Sequence, residues 1–194
     1  MVDLVKASLL RTEVASELPN VPNPVVDRYI VHATRMLCDE VALWQEVATV
    51  TAANGELDLS AMDTDDRDTV RAMPRGVSQN GQILPQYLRP NPRDATTLGY
   101  YARSMRHLTL TGAPDNPDFI VTAQMRPSIA TLKVPEDVAR DYHDVIVHGA
   151  LYRLFRMPSE TWASGEAAAS HYEMFMQGAR QARSEVNRIY AAGE

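Results

Sequence analysis

The spacing of apolar residues changes twice along the chain, dividing it into a helical N-terminal part, a strand-rich middle and a helical C-terminal part. Over 4–15 the apolar positions recur at helical spacing, which predicts a short amphipathic helix stopped by Pro19, Pro22 and Pro24. Asn23 then reads as an N-cap with Pro24 at the first helical position. Val26, Ile30, Ala33, Leu37 and Val41 follow at intervals of three and four, forming one face of a helix that ends near Leu43. Over 44–51 the pattern turns alternating and β-branched, as in a half-buried strand. Asn54-Gly55 before 56–59 predicts a hairpin turn, and Asn80-Gly81 a turn opening the next strand, since both dipeptides tolerate positive φ. Further strands are expected at 68–73, 82–88, 107–111 and 118–126, each bounded by Gly, Pro or Asn. The stretch 89–106 is the least regular and reads as a long loop.

The helical period returns at Pro135, which opens a helix with Glu136 and Asp137 in the turn where carboxylates complement the dipole; Pro158 ends it. A last helix over 166–190, with Ser164 as its cap, turns Ala167, His171, Met174, Phe175, Gly178, Ala182, Val186 and Ile189 inward. Two helices joined by a short turn containing Trp162 make an αα-hairpin. Its packing seam is expected at Tyr142, Val145, Ile146, Gly149, Tyr152, Trp162, Phe175 and Gly178. The expected fold class is α+β, a helical bundle formed by the N-terminal and C-terminal helices with a small β-rich domain inserted. Its divisions would be the N-terminal helices at 1–43, the β-rich insert at 44–132 with the loop at 89–106, and the C-terminal αα-hairpin and tail at 133–194.

Composition narrows the function classes. With 45% apolar and 23% charged residues over 194 positions, the chain is that of a folding, globular protein. The net charge is −6, and the 19 Lys and Arg are scattered without a basic run, which argues against sequence-specific DNA binding. Apolar stretches are broken well short of the ~18 residues a membrane span needs. Asp3, Lys6, Arg11 and Glu13 leave no charge-free segment for a secretion signal, so a protein made and used without export is expected. Cys38 is the single cysteine, which removes any intrachain disulfide or multi-cysteine zinc site and reads as a small apolar helix residue.

Candidate chemistry is sparse. The acidic stretch from Asp63 to Asp68 fails as a calcium loop: Arg67 takes a ligand position, Asp68 the required glycine, and Pro74 the place of the bidentate glutamate. His143 and His148 are five apart, about 140° on a helix, and cannot share a metal as i,i+4 histidines do; Asp144 and His148 have the spacing of a surface pair. No Gly-x-Ser-x-Gly elbow, Gly-rich phosphate loop or His-Glu-x-x-His helix occurs. No catalytic, cofactor-binding or metal residue is therefore assigned, no cofactor is expected, and the protein reads as a non-enzyme. A small hydrolase or ligand-binding domain using Tyr142, His143 and Asp144 stays as an alternative. Tyr100 and Tyr101 with Arg89, Arg93, Arg103 and Arg106 suit either stacked nucleic acid or a protein interface, and the acidic total favours the interface.

Two stretches carry a family resemblance. One is the helix-to-strand passage VVDRYIVHATRMLCDEVALWQEVATV; the other is the C-terminal module with Val134-Pro135, Tyr142, Ile146, Gly149-Ala150-Leu151, Leu154, Met157-Pro158, Trp162 and Phe175-x-x-Gly178. In combined order they resemble the head-to-tail adaptor, or connector, proteins of tailed bacteriophages, with the middle matching as a strand-rich insert. The resemblance implies a virion structural protein of the neck, assembled in the host cytoplasm. It implies a homo-oligomeric ring, commonly a dodecamer, that docks on the portal protein, extends the DNA channel and offers the tail attachment surface. Implied partners are further copies of the chain, the portal and a tail or nozzle protein, with DNA only as passing cargo and no membrane. An acidic channel wall would repel DNA phosphates during ejection. The portal-contacting segment would fall at 180–194. Arg180, Arg183, Arg188 and Tyr190, with Arg93, Tyr100 and Tyr101, are accordingly the expected portal or neighbour contacts. Another neck or tail-tube component, a nozzle or tail completion protein, remains open beside it.

Overall fold

The computed structural model describes residues 2–87, 97–112, 117–158 and 160–192. In chain order the elements are β1 (Leu4–Lys6), α1 (Arg11–Glu17), α2 (Asn23–Glu40), β2 (Gln45–Thr51), β3 (Glu56–Asp58), β4 (Arg67–Gln79), β5 (Gln82–Ile83), β6 (Gln86–Tyr87), β7 (Gly99–Ala102), β8 (His107–Thr111), β9 (Asp118–Pro127), β10 (Lys133–Pro135), α3 (Glu136–Asp141), α4 (His143–Phe155) and α5 (Gly165–Ala192). Short 3-10 turns lie at Ala7–Leu10 and Leu59–Met62. The chain forms two compact units, Met1–Trp44 with Arg126–Glu194, and Gln45–Met125.

The expected helical bundle with a small β insert is overturned. The protein is about 44% helix and 31% strand, and its strands make three sheets, one of them within the helical unit. The excess strand comes from segments whose local pattern conceals it. In the first unit, 4–15 is not one helix. β1 pairs antiparallel with β10, Leu4 opposite Pro135 and Val5 opposite Val134, and the ladder continues through Ala7 N–H to the Leu132 carbonyl at 2.9 Å. Helix begins only at Arg11, whose side chain bonds the buried Asp27 carboxylate with both Nε and Nη2, at 2.9 and 2.5 Å.

α2 starts at Asn23 itself, with Pro22 in the cap position and no side-chain cap bond, so Asn23 is not the N-cap. Its stripe of Val26, Ile30, Ala33 and Leu37 is fully buried, and extended backbone at Val41 ends it short of Leu43. The helix expected after Pro135 is two helices, because Tyr142 leaves helical geometry at φ −121°, ψ 29°. α3 then follows β10, while α4 packs between α2 and α5. Ser164 does cap α5, its Oγ accepting the Ala167 N–H at 3.2 Å. Met174, expected inward, is exposed on α5. Apolar burial around Val14, Ile30, Leu37, Ile146, Leu151, Leu154 and Phe175 gives this unit its core.

The second unit holds two four-stranded sheets, ordered β2-β9-β4-β5 and β3-β8-β7-β6. Asn80 and Gly81 take φ of 50° and 78°, and Asn54 and Gly55 take 53° and 75°, the paired positive values of the tight hairpin turn. The first pair joins β4 to β5. The second is closed only by the Ala53–Glu56 bridge; beyond it β2 pairs with β9 and β3 with β8, so this turn passes the chain from one sheet to the other. β4 is longer than the expected 68–73. It continues through Pro74, Arg75 at φ 58° and Gly76, a local kink of the kind that admits proline into a sheet. The expected strand 82–88 divides into β5 and β6 around Leu84-Pro85. The expected loop 89–106 contains β7, bound to β6 in parallel and β8 antiparallel.

Candidate functional site

The α4–α5 seam is set by two glycines. A Cβ on Gly149 would lie 2.9 Å from the Ala33 Cβ of α2 and from the Phe175 ring of α5, and one on Gly178 would lie 2.4 Å from Val145 Cγ2. At both glycines a side chain of a neighbouring helix fills the space that a Cβ would take, so each glycine lets that helix approach closely. Ile146 and Phe175 are fully buried beside them, and Val145 is half-buried. Tyr142 is half-buried, its hydroxyl donating to Glu185 at 3.4 Å, and both burial and that carboxylate push its pKa up. Tyr152 packs on Tyr172 with ring centroids 4.9 Å apart. Trp162 is half-buried, and its indole N–H has no hydrogen-bond partner among the described residues.

His143 and His148 belong to two different partner sets. His143 Nδ1 lies 3.2 Å from both Glu13 and Asp144. These three bring ligand atoms within 4.8 Å of one another, the one grouping of metal-ligating type among the described residues. Asp144 is 91% and Glu13 55% exposed, and a solvated imidazole beside two exposed carboxylates needs no metal to account for it. Asp144 thus makes its direct contact with His143 and acts on His148 only through its charge. His148 Nδ1 instead lies 3.0 Å from His171 Nδ1, while His171 Nε2 faces Glu17 at 3.2 Å and its ring stacks on Phe155. Burial, then the neighbouring His171, hold the His148 pKa below its usual value.

The acidic stretch is a closed turn. Asp63 accepts the Thr69 N–H at 2.6 Å and pairs with Arg106, and a Thr64–Arg67 bridge closes it. Cys38 is fully buried, and desolvation pushes its thiol up to about 12.

The expected contact residues scatter. Arg180 and Arg188 are exposed on α5 beside an open hollow shared with Arg183, Ser184 and Asn187. Arg183 donates to the Glu40 carbonyl and carboxylate at 2.6 and 2.7 Å. Tyr101 is half-buried in β7. Tyr100, expected at a surface, is 1% exposed in the core of its unit, because the alternation of β7 turns it inward; burial raises its pKa. Arg93 and the Tyr190 side chain lie outside the described residues.

Sequence reading missed a groove along α2. Two hollows of about 370 and 530 Å³ share Tyr29 and Met157. Arg28, Arg153 and Arg156 line them, with Ile129 and Leu132 59% and 41% exposed at one end. These residues come from α2, the turn after β9 and the end of α4, and no local pattern joins them. Among the described residues no helix is long and apolar enough to cross a membrane.

A family model described as SU10 adaptor protein matches residues 5–193, spanning both helical ends and the strand-rich middle. A comparison with curated proteins finds no match.

Proposed function

Because this chain belongs to the SU10 adaptor protein family and is thereby a phage adaptor, a structural component of the virion, we propose that it works as a head-to-tail adaptor ring. In this reading copies close into a ring, of the order of twelve as in the connectors it resembles. The ring docks on the portal, extends the DNA channel and carries the tail or nozzle protein, after assembly in the host cytoplasm. The observation that carries the reading is the family match across nearly the whole chain. A closed ring needs two unlike contact faces on each copy, and the exposed arginines Arg180 and Arg188 on α5 supply a candidate for one of them. Arg183, Tyr190, Arg93 and Tyr101 are further proposed contacts; Tyr100 is withdrawn by its burial.

The test is particle imaging of the protein mixed with its portal. Added ring density beneath the portal is the expected result, weakened by the pair Arg180→Glu and Arg188→Glu. Density that never joins the portal but binds an isolated tail would replace this reading with that of a tail-side component. Failure to join either would overturn it.

A further inference from the structure

We infer that the groove along α2 is a docking site for an acidic segment of a partner protein that also carries apolar side chains. The apolar end and the arginines call for different halves of that chemistry. Ile129 and Leu132 stand exposed beside Val25 and Met157, an apolar patch that a partner's aliphatic or aromatic residue would cover.

Arg28, Arg153 and Arg156 are charges with no carboxylate opposite. Arg153 donates to the Met36 sulfur at 2.8 Å and Arg156 to the Tyr152 hydroxyl at 2.6 Å, both neutral. Among the described residues none of the three forms an ion pair. Elsewhere the same chain does pair its arginines: Arg11 with Asp27, Arg126 with Asp39, Arg183 with Glu40. In a protein with 25 acidic and 19 basic residues, three arginines facing no acid leave a local positive field. His32 senses it: after burial, the charges of Arg153, Arg35 and Arg28 lower its pKa. Guanidinium groups held at a rim are suited to bidentate capture of carboxylates.

Phosphates would satisfy the arginines equally, but a nucleic-acid backbone has no use for an exposed isoleucine and leucine at the end of the groove beside Arg28. The apolar end therefore selects a peptide over DNA. The inference rests on the adaptor reading only for the expectation that the partner is a structural protein; the groove chemistry stands without it.

The test is fluorescence anisotropy with a short labelled peptide of Asp, Glu, Leu and Phe. The same peptide with Asn and Gln in place of the acids serves as a control, and a labelled DNA duplex as the competing ligand. The acidic peptide should bind at least about tenfold tighter than its amide control. Arg28→Glu, Arg156→Glu and Ile129→Asp, all at exposed positions, should each weaken it about tenfold with the helical spectrum unchanged. Equal binding of the amide peptide, indifference to Ile129→Asp, or tighter binding of the duplex would each overturn the inference. Peptide binding that persists when portal rings fail to form would sink the ring reading alone.

Discussion

Gly178→Ala should weaken the protein, and Val145→Ala should remove the damage that Gly178→Ala causes. The new Cβ would lie 2.4 Å from Val145 Cγ2, 3.1 Å from Cγ1 and 3.2 Å from Cβ. Valine in a helix holds one strongly preferred χ1, so turning Cγ2 out of the way costs a disfavoured rotamer and still leaves a methyl or Cβ close to Gly178. The helices must separate, at an overpacking cost of about 1–3 kcal/mol. Replacing a helix-interior glycine by alanine returns about 0.8–1.0 kcal/mol, so the single variant should lose about 0–2 kcal/mol. Val145→Ala removes two methyls of a half-buried side chain, a loss of about 1 kcal/mol. In the double variant the two Cβ atoms meet without the methyls, the helix-propensity gain remains, and stability should return close to the parent. The coupling is then about 1–3 kcal/mol, far above the few tenths expected of independent sites. At roughly 2–4 °C per kcal/mol for a chain of this size, the double variant should melt about 2–12 °C above the additive expectation. Thermal and urea unfolding followed by helix ellipticity reads this out, since α2, α4 and α5 dominate that signal. Additivity within about 0.5 kcal/mol would show that Gly178 is not where the helices are held apart by Val145.

Gly76→Val should cost more than about 2 kcal/mol, because even a Cβ would sit 2.6 Å from the Thr122 carbonyl oxygen and 2.8 Å from that of Met73, neither of which can rotate away; urea midpoints measure it, and a loss under about 0.5 kcal/mol would refute the close approach. His148 and His32 both have folded pKa values below the usual 6.5. The unfolded chain therefore takes up protons first, and stability should be full above about pH 6.5 and fall as pH drops through it. Melting temperatures across that range should decline less steeply in His148→Gln; an unchanged slope would remove His148 from the account. Asp58, held low by the Ser60 hydroxyl and N–H, acts only below its usual 3.8, outside this window. Cys38, with its thiol pushed up to about 12, should resist iodoacetamide at neutral pH until the protein is unfolded, and labelling of the native protein at the rate of a free thiol would contradict its burial.

What was legible in the sequence was local. The α2 stripe of Val26, Ile30, Ala33 and Leu37 announces itself by period, the two Asn-Gly turns by the positive φ they require, and α5 by Ser164 and the apolar positions that follow. What was not legible depends on partners distant in the chain. β1 is three residues whose strand geometry exists because Lys133–Pro135 lies opposite, and nothing in its own composition distinguishes it from the first turn of α1. The sequence pattern shortens β4 to 68–73 because Pro74 ordinarily ends a strand; here the kink at Arg75 absorbs it. β7 was hidden in a stretch rich in Arg and Pro, and with it the burial of Tyr100, whose pairing with Tyr101 in sequence says nothing about which of them a sheet turns inward.

The same asymmetry governs the contact surfaces. Packing constrains both sides of a seam within one sequence, so Gly149, Phe175 and Gly178 have their neighbours in the same chain. A docking surface is constrained by a partner whose residues are elsewhere. The resemblance implies Arg183 as a contact through its place in the C-terminal segment, yet its guanidinium is held by the Glu40 carbonyl and carboxylate. To serve a partner it would first have to give up those bonds, a cost set against any gain. Arg28 lies off the apolar stripe of α2, yet among the described residues it has no acid to leave. A protein that joins others should keep its uncompensated charge where a partner supplies the counter-charge, so arginines without carboxylates are better guides to its interfaces than arginines as such. By that criterion Arg28 and Arg156 rank above Arg183 as positions where a charge reversal should disturb assembly and leave folding intact.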